Sequence, residues 1–180
     1  MKHLLLKIVA FALLVVFCAF LMSQAKVKSE TIYPENFYGK YALQSTGNLN
    51  QPLDGEIYFE TAIATNRNSH KASILKLRLG SKDKNFTHSI EFIISKAKMN
   101  QIASGSYEVS QKSRGFLKNF DGVFGFANIS SLGELPFFTK SGEVRIDFVD
   151  ADIVKGALNV SLQNANGKSI NLEGDFVALK

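Results

Sequence analysis

The chain predicts an all-β domain, an antiparallel β-sandwich or flattened β-barrel of eight or nine strands, behind an N-terminal signal helix. Three observations carry this expectation. From Phe37 onward, apolar residues recur with a period of two rather than 3.6. Turn-forming pairs such as Asp54-Gly55, Asp121-Gly122 and Asn166-Gly167 interrupt the alternation at short intervals. After the leader, no helical pattern is long enough to cross between parallel strands, which disfavours βαβ architectures.

The leader has the three-part form of a secretion signal. Lys2, His3 and Lys7 give a basic start, residues 8–22 are 15 positions without a charge, and Ser23-Gln24-Ala25 supplies small residues where a signal peptidase reads them. As a helix, 15 residues rise about 22 Å, less than a hydrocarbon core of roughly 30 Å. Cleavage is expected after Ala25, with a retained membrane anchor as the alternative. Phe17 ahead of Cys18 is too bulky for a lipoprotein signal. Residues 1–25 are therefore read as a signal peptide, 26–36 as a linker and 37–180 as a single all-β domain. Removing the leader removes the only cysteine, so a core rather than disulfides must hold the domain.

The strands follow in order. Residues 38–45 form the first. Residues 56–63 set Ile57, Phe59 and Ile63 against Glu56, Tyr58 and Glu60; residues 73–79 set Leu75, Leu77 and Leu79 against Lys76 and Arg78. After a turn at 81–85, Phe86, His88, Ile90, Phe92 and Ile94 share a face. A short helical turn is expected over 96–103, then strands at 106–109 and 123–129. The last three strands form an antiparallel meander. Val144, Ile146 and Phe148 alternate with Glu143, Arg145 and Asp147. Val154, Gly156, Leu158, Val160 and Leu162 share the next inner face. After the Asn-Gly turn, Ile170, Leu172, Phe176 and Ala178 face one way.

Charge is unevenly spread. The chain carries 21 Lys and Arg against 16 Asp and Glu; without Lys2 and Lys7 the net charge is 19 − 16 = +3. Residues 67–118 hold eleven basic residues against three acidic, whereas 119–180 hold five against eight. The basic stretch either meets an anionic surface or decorates solvent-facing strand positions, where lysines deter edge-to-edge pairing.

The order of elements from about Ile102 to Ala178 resembles a group of uncharacterised small exported β-rich proteins of Gram-negative bacteria, many of them lipoproteins. The residues carrying the likeness are Gly105-Ser106-Tyr107-Glu108-Val109, Ser141-Gly142-Glu143-Val144-Arg145-Ile146, Val154-Lys155-Gly156-Ala157-Leu158, and Leu172-Glu173-Gly174-Asp175-Phe176. The chain departs from the pattern by lacking a lipobox and by having Ala157-Leu158 where a phenylalanine is usual. The resemblance implies an envelope location and a β-fold. It implies no activity.

Catalytic chemistry is not indicated. Outside the leader only His70, in a polar loop, and His88, on an apolar strand face, are histidines. No Gly-x-Ser-x-Gly elbow singles out a nucleophile, and no glycine-rich phosphate loop follows a strand. Asp147, Asp150 and Asp152 cluster around a turn, where aspartate serves the backbone. No cofactor, metal site or nucleic-acid partner is expected. The least ordinary segment is 115–138, which holds six of the twelve phenylalanines outside the leader. Phe116, Phe120, Phe124, Phe137 and Phe138 are the candidate ligand-binding residues, lining a pocket for a lipid or other apolar molecule; the same residues could instead plug one end of the fold. The sequence thus predicts a non-enzymatic binding or interaction domain of the cell envelope. Its location would be periplasmic, outer-membrane associated or secreted, and its partner an apolar ligand, an anionic surface or an envelope protein. The alternative is a structural or assembly component acting through strand edges.

Overall fold

A computed structural model describes residues 39–65, 71–81, 87–97, 101–109 and 121–180. The expected signal helix, the linker, and the candidates Phe116 and Phe120 lie outside these residues. Nine strands follow in order: β1 (Lys40–Gly47), β2 (Pro52–Thr65), β3 (Lys71–Ser81), β4 (His88–Ala97), β5 (Gly105–Glu108), β6 (Gly122–Ile129), β7 (Phe137–Val149), β8 (Ile153–Gln163) and β9 (Ser169–Leu179). A 3-10 turn at Ser130–Leu132 precedes β7.

The sheet closes. Neighbours run β7-β6-β4-β3-β2-β1-β9-β8, and β8 pairs again with β7, so eight antiparallel strands form a barrel. The expected choice between sandwich and barrel is thereby resolved to a closed barrel. β5 is an addition to it. It pairs with β7 over Gly105↔Ile146 to Glu108↔Glu143, on the edge that β6 occupies further along at Phe126↔Phe138 and Ala127↔Phe137. β5 and β6 thus share one side of β7.

Period-two patterning decides what lies inside. Leu43, Leu53, Ile57, Phe59, Leu75, Leu77, Leu79, Ile90, Phe92, Ile94, Phe137, Leu158, Val160, Leu162, Ile170 and Leu172 are buried in one cluster. Eight strands enclose an interior just wide enough for such side chains to fill. Glu60, Arg78, Arg145, Asp147, Glu173 and Asp175 point outward and are exposed. A charged exterior around an apolar interior reverses the arrangement of a membrane-spanning barrel, whose outer band is apolar.

Several local expectations change. Phe148 is 46% exposed rather than inward, because the β7–β8 register shifts between Ile146 and Phe148 and the bulge turns the next side chain out. Ile63 is 58% exposed because β2 runs past the end of the barrel. Lys96 and Ala97 belong to β4, not to a helical turn, since Ala97 and Lys96 pair with Ala72 and Ser73 of β3. β7 begins at Phe137, directly after Pro136; the proline lacks an N–H and so precedes the ladder instead of preventing it. The β8–β9 connection spans five residues, 164–168, between the pair Gln163↔Ser169. Asn164 organises it: its Oδ1 accepts from the N–H groups of Asn166 (3.1 Å) and Lys168 (3.0 Å), while Gly167 takes a φ of 79°.

Candidate functional site

Strand length makes the site. β2 has 14 residues and β1 has 8, a difference of about 20 Å at ~3.4 Å per residue. β1 pairs with β2 no further than Lys40↔Glu56, and β9 meets it at Tyr58↔Leu179, yet β3 stays paired to Thr65↔Lys71. The β2–β3 hairpin therefore overhangs one end of the barrel. Beside it lies a cleft of about 560 Å³, lined by residues 61–63 of β2, Ser73 and Ile74 of β3, Gln101 and Ile102 ahead of β5, and residues 149–151 at the β7–β8 turn.

The cleft's surface is aliphatic with a few polar groups. Ile63 presents its side chain openly, Ile74 and Val149 are half-buried, and Ile102 is a core residue only 4% exposed. Thr61, Gln101 and Asp150 supply polar atoms. One Asp150 oxygen is already engaged: Oδ1 accepts from the N–H groups of Asp152 (2.9 Å) and Ile153 (2.7 Å), which shapes the β7–β8 turn. Asp147, three residues earlier, pairs with Arg145 on the outer face at 2.8 Å. The acidic cluster of the sequence is thus divided between a turn and an outer-face ion pair. An aliphatic recess at the mouth of a barrel, with a few polar groups, is the usual form of a small-molecule site, whose volumes run from roughly 300 to 1,000 Å³.

The described phenylalanine candidates sit elsewhere and on two faces. Phe137 points into the barrel and is fully buried opposite Ala127. Phe124 and Phe138 meet on the outer wall with ring centroids 6.2 Å apart, and Phe138 is 40% exposed. Phe126 pairs directly with Phe138 there, and Ile93 with Phe124. The basic stretch is also partly accounted for. Arg78 bonds to Glu60 at 2.9 Å on one side and Glu91 at 3.2 Å on the other.

At the opposite end of the barrel, His88 of β4 meets Tyr41 of β1 inside the wall. The Tyr41 hydroxyl donates to the Gly80 carbonyl oxygen (3.2 Å), leaving its oxygen to accept from His88 Nε2–H. Burial pushes the His88 pKa below its ordinary value, with the negative charge of Asp54 opposing the shift. Burial likewise raises the Tyr41 hydroxyl well above the usual phenol range, and Asp54 adds to it. Both side chains are thus neutral at physiological pH, a structural pair as the apolar face of β4 implied.

The cleft residues come from four separate stretches of chain, and none carries a motif. The one available signal was length: β2 is uncharged from Thr61 to Thr65 and too long for its neighbours. No known family model, curated protein or solved structure matches this chain.

Proposed function

We propose that the chain is an exported, non-enzymatic binding module of the cell envelope whose barrel-end cleft takes a small apolar ligand. The observation that carries the reading is the cleft itself: about 560 Å³ bordered by Ile63, Ile74, Ile102 and Val149, with Ile63 held 58% exposed by a strand that outruns its neighbours. Exposed aliphatic side chains around a recess are costly to hydrate, and a ligand that covers them recovers that free energy. The envelope location rests on the basic-then-apolar leader and on the likeness to small exported β-proteins. The outward charges of the wall suit an aqueous compartment such as the periplasm.

The test is titration with an environment-sensitive apolar dye, anilinonaphthalene sulfonate. The chain should bind it with enhanced fluorescence. Val149→Asp, which sets a carboxylate on the cleft side of β7 beside the core, should weaken binding at least about tenfold. Arg78→Ala, on the outer wall, should leave it unchanged. Equal dye binding by the wild-type and Val149→Asp chains would remove the cleft as the ligand site.

A further inference from the structure

The overhang of β2 leaves a sheet edge with no strand against it among the described residues. Ile57 N donates to Gly39 O at 3.0 Å, so the odd-numbered residues of β2 turn their backbone groups toward the β1 side. The β2–β3 register runs unbroken from Gly55↔Ser81 to Thr65↔Lys71. By the same alternation, Thr61, Ile63 and Thr65 present N–H and C=O to the open edge beyond the end of β1 and β9.

The sequence of this edge, Thr61-Ala62-Ile63-Ala64-Thr65, reads identically in both directions. We propose that it pairs with the same edge of a second copy of the chain, antiparallel about a twofold axis at Ile63. In that register Ile63 faces Ile63 of the second copy, Thr61 faces Thr65, and Ala62 faces Ala64. The three odd-numbered pairs all direct backbone groups into the seam, so each exchanges two N–H···O=C bonds. A slip of one residue would set odd positions against even ones and lose that match. The contact is isologous, as closed dimers require.

Side chains agree with the backbone. Thr and Ile are strong strand formers, and Thr–Thr and β-branched pairs are favourable across strands. No charge lies between Glu60 and Arg67, so like charges do not meet at the axis. Lysine and proline, the usual guards of an exposed edge, are absent from this stretch. The Ile63 side chain, 58% exposed, would be covered by its counterpart. With only five residues on each side, the interface falls below the roughly 1,200 Å² of standard size, so association is reversible and concentration-dependent. This inference goes beyond the ligand reading, although Thr61, Ala62 and Ile63 of the seam also border the cleft.

Sedimentation velocity on the full chain, from about 1 µM to 1 mM, tests it. The wild type should show a monomer–dimer equilibrium. Ile63→Lys and Ile63→Glu should each weaken it at least about tenfold, because like charges then face each other across the axis. An equal mixture of the two should restore dimers, since only a register centred on Ile63 sets that residue against itself. Thr65→Pro removes an edge N–H without touching the β3 ladder, and should also weaken the dimer. Far-UV circular dichroism checks that each variant folds. A chain that stays monomeric throughout, a dimer indifferent to the Ile63 charges, or loss without recovery in the mixture would overturn the proposal.

Discussion

Gly125→Ala is the smallest change the barrel should reject. Gly125 of β6 lies directly opposite Phe92 of β4, whose ring is fully buried. A methyl group on Gly125 would overlap Phe92 Cδ1, and would sit 2.8 Å from Cε1 and 3.0 Å from the Glu91 carbonyl oxygen. The ring cannot step aside freely, because Ile90, Ile94 and Val123 around it are buried as well. Overpacking of this kind costs about 1–3 kcal/mol. At this chain length each kcal/mol lowers Tm by roughly 2–4 °C, so a cost near 2 kcal/mol means a fall of about 4–8 °C. Urea denaturation followed by far-UV circular dichroism measures it, with Phe92→Leu as the partner in a double-mutant cycle. Removing the ring should reduce the added cost of Gly125→Ala by at least about 1 kcal/mol. A Gly125→Ala chain within about 0.5 kcal/mol of wild type, or strict additivity in the double variant, would refute the packing described for this wall.

The remaining predictions concern the ends of the barrel and its surface. His88 has a depressed pKa in the fold, so the unfolded chain binds more protons on acidification. Its contribution to stability is complete above the unfolded value of about 6.5 and is lost as pH falls through the folded value. Denaturation midpoints should therefore drop below about pH 6.5, and His88→Gln should flatten that part of the profile. Asn164→Ala removes the acceptor for two turn N–H groups and should cost about 1–2 kcal/mol by urea denaturation, with little change in the slope. Arg78→Ala should cost less than about 1 kcal/mol, and less still at 1 M salt, because both of its ion pairs are solvent-exposed.

Alternation was legible wherever a strand lies wholly within the barrel wall. Leu75, Leu77 and Leu79, the Val154-to-Leu162 face, and Ile170, Leu172, Phe176 and Ala178 all face inward as their spacing requires. It failed where geometry changes along a strand. A bulge near Asp147 reverses Phe148, and an overhang exposes Ile63, although neither alters the local pattern of the sequence. The helical reading of 96–103 failed in part because cross-strand pairing with Ala72 and Ser73 outweighs the local preference of Lys96 and Ala97. The choice between sandwich and closed barrel was not readable. It depends on β1 meeting β9, which joins Lys40 to Val177 across most of the chain. The cleft was hidden for a related reason, since Ile102 and Val149 come beside the β2–β3 hairpin only through long-range packing. By contrast, the phenylalanine count of 115–138 drew attention to the outer wall and the core. Phe124 and Phe138 pack together outside, while Phe137 fills the interior.

Native mass spectrometry of the chain purified from its own host bears most directly on the claim that the barrel-end recess holds an apolar molecule. The account predicts a population carrying a small hydrophobic adduct that dissociates on collisional activation and is missing from the Val149→Asp chain. A wild-type chain recovered only at its bare mass, or an adduct retained unchanged by Val149→Asp, would contradict it.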